Sequence, residues 1–304
     1  MEWLEQFIEH KNSFARLNWS AVSEHIQLNL STEDQDVLWN NIALAWVDKL
    51  KSNMAEHHRM HESDNFILLS SESDHYVSVL LGFLERSRKK ILHALRGIAA
   101  DPGPGKYVVL VFDDLDSYYL YISCLYPEEG VFGLSSGIYI NDGYGHFAFP
   151  HQEINYAESI AAHELTHALL NHLSLPTWLD EGMAVGMESL ITGFASGVMD
   201  REMHSRHRAF WNESRVQEFW SGDSFFRTDS GQELSYHLAQ FLVNSLSQDY
   251  DAFVELVNLA DRADAGESAV EEIYDGSLNS LISPLLGEGP WIPDPSIWKN
   301  YLAK

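Results

Sequence analysis

Residues 155–184 read NYAESIAAHELTHALLNHLSLPTWLDEGMA. Ile160, Ala161, Leu165, Ala168 and Leu169 recur at helical spacing, which predicts a helix from about Asn155 to Leu173. His163 and His167 are four residues apart on it. Four residues turn about 400°, so the two imidazoles stand about 40° apart on one face. Both can reach one zinc ion at about 2.0–2.1 Å, and Glu164 beside them can take a proton from the water that the ion activates. HExxH on a helix points to a zinc hydrolase, and first to a peptidase.

A catalytic zinc needs a third protein ligand and an open position. The metzincin spacing requires glycine at 170 and histidine at 173, where this chain has Leu170 and Leu173. His172 is five residues past His167 and, on a continuing helix, points about 140° away from it. The better candidates follow in Leu175–Ala184. Pro176-Thr177 predicts the start of a second helix, with Thr177 as N-cap and Pro176 just outside. Thirteen residues separate His167 from Glu181, room for a helix end, a turn and the first turn of the next helix. A second helix packed on the first can direct Glu181 at the ion, with Asp180 as the alternative.

HELTH followed by PTWLDEGMA resembles the gluzincins, in particular the peptidase-MA-like branch of zincins, where a P-x-W-L-x-E-G-x-A segment supplies a glutamate ligand. The resemblance runs from about Phe66 to about Ser280 and is specific over residues 158–188. It implies a zincin-like fold, one zinc ion per chain on His163, His167 and Glu181, and Glu164 as general base. Thermolysin-like gluzincins carry an acid four positions after the ligand glutamate, where it orients a histidine. Val185 occupies that position here, which leaves Asp180 or Glu188 for the task.

Gluzincins often place a tyrosine or histidine on a later helix to donate to the oxyanion. The segment LSYHLAQF, Leu234–Phe241, is similar to such a helix, so Tyr236 and then His237 are the expected donors; packing in a helical core is the rival reading. An extended peptide lies antiparallel to an edge strand beside the motif helix in such enzymes. By chain order that strand is Gly137–Asn141, whose plainer role is an ordinary strand.

Upstream, the first sixty residues read as helical: Ser31-Thr32-Glu33-Asp34 is a start signal, and Leu38, Ile42, Trp46 and Leu50 follow at helical spacing. Phe66–Ser70 and Tyr107–Phe112 read as buried strands, with an amphipathic helix between them from about Asp74 to Leu95. Its apolar stripe is Val77, Leu80, Leu81, Leu84, Ile91 and Leu95. A helix around Leu115–Leu125 precedes the Gly137–Asn141 strand, which ends in the loop Asp142–Gly145. Beyond residue 200 the pattern is helical, notably Leu234–Leu246 and Tyr250–Leu259. Mixed strands and helices followed by helices indicate an α+β protein: a small mixed sheet, the active-site helix, then a mainly helical C-terminal part. Residues 1–62 read as an N-terminal helical segment and 63–304 as the zincin-like domain.

A hydrophobic fraction of 45% and nine tryptophans suit a folded chain, and no apolar stretch approaches the about 20 residues that span a bilayer. The net charge of −26 repels phosphate backbones, so nucleic acid is not an expected partner. Cys124 is the single cysteine, and the first residues lack a basic leader with an apolar run, which together suggest the cytoplasm. The expected partner is a peptide or protein substrate.

Other clusters have plainer readings. His57, His58, His61 and Glu62 read as a solvated patch near a helix end, although His57 and His61 are one helical turn apart. Arg201, Arg206 and Arg208 with His204 and His207 read as a surface loop paired with acids. Gly103 and Gly105 flank Pro104 and form no phosphate loop, and Cys124 reads as a core residue. Two rival functions stay open: a binding or regulatory module whose zinc merely ties helices together, and a hydrolase of non-peptide amides.

Overall fold

The computed structural model describes residues 2–12, 14–29, 35–54, 56–101, 103–123, 135–194 and 199–298. The first elements are β1 (Ile8–Lys11), β2 (Phe14–Leu17), α1 (Trp19–Asn29), α2 (Gln35–Asn53), β3 (Arg59–Glu62), β4 (Phe66–Ser70) and α3 (Asp74–Ala94). There follow β5 (Tyr107–Phe112), α4 (Leu115–Ile122), β6 (Ile138–Asn141), β7 (Gly145–Pro150) and α5 (Ile154–Leu170). The remainder is helical: α6 (Thr177–Thr192), α7 (Arg201–Phe210), α8 (Glu213–Ser221), α9 (Gly231–Leu246), α10 (Tyr250–Leu259), α11 (Glu267–Tyr274) and α12 (Leu278–Leu286). The protein is thus mixed α+β. Its contacts divide it into two compact units, the first holding the strands and most of α1–α5, the second α6–α12 with the Ala94–Ala100 turn.

In the first unit a five-stranded sheet has the order β3-β4-β5-β7-β6. β4, β5 and β7 are parallel neighbours, while β3 and β6 run antiparallel at the two ends. Strands buried on both faces carry apolar residues without alternation, which is why Phe66–Leu69 and Tyr107–Phe112 stand out in the sequence. Ile67, Leu69, Val108, Leu110, Phe112 and Ala148 share one face with Trp19, Trp39, Ile42, Trp46 and Leu50 in a single core. Phe66, Leu68, Tyr107, Val109, Phe147 and Phe149 are buried on the other face.

Several expectations need correction. The first sixty residues are not helical throughout. β1 and β2 form an antiparallel hairpin, and the Trp46 indole donates from α2 to Ala15 O of β2 at 3.1 Å. β3 is not evident in the sequence because Arg59-Met60-His61-Glu62 is polar; pairing with β4 makes it a strand. β7 is likewise not evident in the sequence, because Gly145 ends a loop signal and Gly145-His146 and Pro150 dilute the apolar run. His146 belongs in the core because both ring nitrogens are satisfied: Nδ1 contacts Tyr144 O at 3.1 Å, and Nε2 the Tyr121 hydroxyl at 2.7 Å. The start signal Ser31–Asp34 and Cys124 and Leu125 lie outside the described residues.

In the second unit α6 and α9 pack at Gly182. A Cβ there would lie 2.6 Å from Ala239 O and 2.6 Å from Val243 Cγ2, so only glycine admits this approach. Trp178, wholly buried, donates from its indole to Ala265 O at 2.9 Å and anchors the first turn of α6. Gln217 on α8 holds the C-terminal segment, donating to Ile292 O at 2.8 Å and accepting from the Asp294 amide at 2.8 Å.

Candidate metal centre

α5 buries Ala157, Ala161, Ala162, Leu165, Ala168 and Leu169, while His163 and His167 stay half-buried. Thr166 is fully buried, and its hydroxyl donates to Ala162 O at 2.8 Å, so it needs no outside partner. The helix ends at Leu170, three residues before the expected Leu173, where the Leu173 amide turns back to Leu170 O.

The imidazoles face one another as the i, i+4 spacing requires. Their Nε2 atoms are 3.1 Å apart and their rings meet at 75°. Two ligands held about 2.05 Å from one tetrahedral ion stand about 3.3 Å apart, so this spacing suits a shared cation. Glu164 is only 7% exposed, one position from His163.

α6 begins one residue earlier than expected. Pro176 is the N-cap, with ψ 139°, and Thr177 is the first helical residue, so Thr177 caps nothing. The Pro176 carbonyl instead accepts from the Leu179 and Asp180 amides. Glu181 follows on the next turn and is half-buried. His163, His167 and Glu181 each offer one donor atom, and these atoms all lie within 4.8 Å of one another. The group therefore could hold a metal ion, and among the described residues it contains Glu181 and not Asp180. Two imidazoles and a carboxylate form a donor set that zinc and its neighbours accept. Val185 is buried, while Asp180 and Glu188 are half-buried on the same helix.

Tyr236 and His237 begin the second turn of α9. Tyr236 is half-buried, its ring edge-on to Phe225 at 5.3 Å. His237 is buried within a network that the sequence did not disclose. The Trp211 indole donates to His207 Nδ1 at 2.9 Å. An indole nitrogen only donates, so Nδ1 of His207 carries no proton and Nε2 must. That Nε2 meets His237 Nδ1 at 2.9 Å, which makes His237 Nδ1 the acceptor and leaves its proton on Nε2. Burial, reinforced by neighbouring His237, pushes the His207 pKa down to about 3, so His207 is neutral near pH 7. The signal is weak, a tryptophan four residues after a histidine, at the carboxyl end of one helix.

The remaining sequence clusters resolve as follows. Residues 201–210 form a helix and not a loop; Arg206 pairs with Glu233, and His207 is wholly buried. His57 and His61 are not one helical turn apart, because α2 ends at Asn53 and His61 lies in β3 opposite Leu68. His57 and His58 meet Asp113 instead. β6 lies at an end of the sheet, and Gly137 just before it adjoins the motif helix: a Cβ there would be 2.4 Å from Ile160 Cγ2. No helix among the described residues is long and apolar enough to cross a membrane.

Comparison with known protein families finds no family model that matches this chain, and no curated protein matches it.

Proposed function

We propose that this chain is a zinc-dependent metallopeptidase of gluzincin type, acting on peptide or protein substrates. The observation that carries the reading is the grouping of His163, His167 and Glu181 within 4.8 Å, with a buried Glu164 beside the first histidine. A bound zinc ion would acidify water and polarise the scissile carbonyl. Glu164 accepts the proton of the attacking water and passes it to the leaving amine. A site that served only to tie helices together would have no need of this carboxylate, which favours the hydrolase over the binding module. Tyr236 and His237 are the candidate oxyanion donors. For His237 the support is the tautomer, since the chain from Trp211 through His207 leaves it with a proton to give. The lone Cys124 and the acidic surface suit a reducing, cytoplasmic setting.

Two variants test the reading. Glu181→Ala is expected to lower bound zinc by one equivalent per chain. Glu164→Gln should retain that zinc and lose cleavage of a mixed peptide library by at least about a hundredfold, the scale of general-base catalysis. A Glu164→Gln protein that cleaves at the full rate ends the peptidase mechanism. A wild type that binds zinc and cleaves nothing in the library favours the binding module.

A further inference from the structure

We propose that the chain carries a second divalent-cation site, formed by His57, His58 and Asp113 at the carboxyl end of the parallel strands. Two segments deliver the three side chains, His57-His58 before β3 and Asp113 after β5. β4 and β5 run parallel, with Leu69 beside Leu110, so Ser71 and Asp113 leave the sheet at the same end. β3 is antiparallel to β4, with Arg59 opposite Ser70, which brings His57 and His58 back to that end. Carboxyl ends of parallel strands are where open sheets gather their ligands.

The distances favour a shared ion over simple pairing. His57 Nε2 is 3.4 Å from Asp113 Oδ2, and His58 Nε2 is 3.6 Å from Asp113 Oδ1. Both exceed the about 2.7–3.2 Å of an N–H···O hydrogen bond. Both are near the about 3.3 Å between two ligands of one tetrahedral zinc. One donor atom from each of the three residues lies within 4.8 Å of the others. The Ser71 hydroxyl donates to Asp113 Oδ1 at 2.5 Å, orienting the carboxylate as outer partners of metal ligands do.

The site is anchored on one side and wet on the other. His58 is 3% exposed, whereas the His57 side chain is 63% exposed. Two imidazoles with one carboxylate select zinc or another first-row divalent ion, since calcium and magnesium prefer oxygen donors throughout. Three protein donors leave a coordination position for water, so the ion would exchange with solvent. His61 and Glu62 take no part; Glu62 pairs with Lys106 at 3.0 Å.

The site stands independently of the HExxH reading and is tested beside it. The metal-stripped full chain is titrated with Zn²⁺ alone, and bound metal is counted by equilibrium dialysis. Wild type is expected to bind two ions, Glu181→Ala one, Asp113→Asn one, and the double variant none. In the Glu181→Ala background, Ser71→Ala should weaken the remaining ion about tenfold. His57→Ala, at a mainly exposed position that spares the fold, should weaken it at least as much. If Asp113→Asn and His57→Ala bind as many ions as their parent with unchanged affinity, the second site does not exist. If Glu181→Ala still binds two ions while Asp113→Asn loses one, the second site stands and the HExxH ligand set is the one that fails.

Discussion

At the scale of single residues, much of this protein's chemistry depends on which nitrogen carries a proton. His146 is fully buried with both ring nitrogens engaged, and burial lowers its pKa from 6.5 to about 4. The unfolded chain binds a proton there below about pH 6.5, and the folded chain does so only below about pH 4. This contribution is therefore intact above pH 6.5 and is lost as the pH falls towards 4. Glutamine can make the same two hydrogen bonds without titrating. Urea unfolding of wild type and His146→Gln should show the wild type losing about 2 kcal/mol more between about pH 7.5 and about pH 5. Parallel pH profiles would mean that His146 takes up a proton as readily in the fold as in the unfolded chain. Tyr236→Phe, which keeps the ring against Phe225, should slow peptide cleavage with zinc content unchanged. A variant working at the full rate would remove the hydroxyl from the chemistry.

At the scale of elements, α6 is the piece on which the candidate centre depends. Its first turn is pinned by Trp178 and its second by the close approach at Gly182, with Glu181 between them. Trp178→Ala should cost about 3–5 kcal/mol in denaturant unfolding, as for a large aromatic removed from a core. Gly182→Ala forces α6 and α9 apart, at about 1–3 kcal/mol, and should weaken zinc binding as well. Zinc affinity unchanged in a destabilised Gly182→Ala protein would show that Glu181 is not held by this packing. These two residues also explain why the segment could be read in advance. HExxH is local, and PTWLDEGMA carries both anchors of the helix that bears the third donor. The strands β4 and β5 were equally plain, as apolar runs. What could not be read depends on non-local pairing. β3 has a polar sequence and becomes a strand only against β4, and β7 hides a histidine that burial keeps neutral. Asp113 is more than fifty residues from His57 and His58, with no spacing to connect them.

At the scale of the whole molecule, 45 acidic residues face 19 basic ones and 15 histidines. Such a chain repels itself, and the repulsion is screened as the Debye length falls from about 30 Å at 0.01 M to about 8 Å at 0.15 M salt. The melting temperature should rise over that range. Chelation should act in the opposite direction, because an ion held only by the folded chain stabilises it by about 2.7 kcal/mol at a free concentration 100 times its Kd. A melting temperature indifferent to chelator would mean that no ion is bound at that concentration.

The end position of β6 has one more consequence. Its outward amides and carbonyls have no partner strand among the described residues, so whatever lies along them is recognised through its own main chain. Such recognition is blind to most side chains but not to imino acids, which have no amide hydrogen to offer. A substrate bound there would tolerate wide variation in composition, yet proline at alternate positions, where the amide must point to the sheet, would abolish its binding.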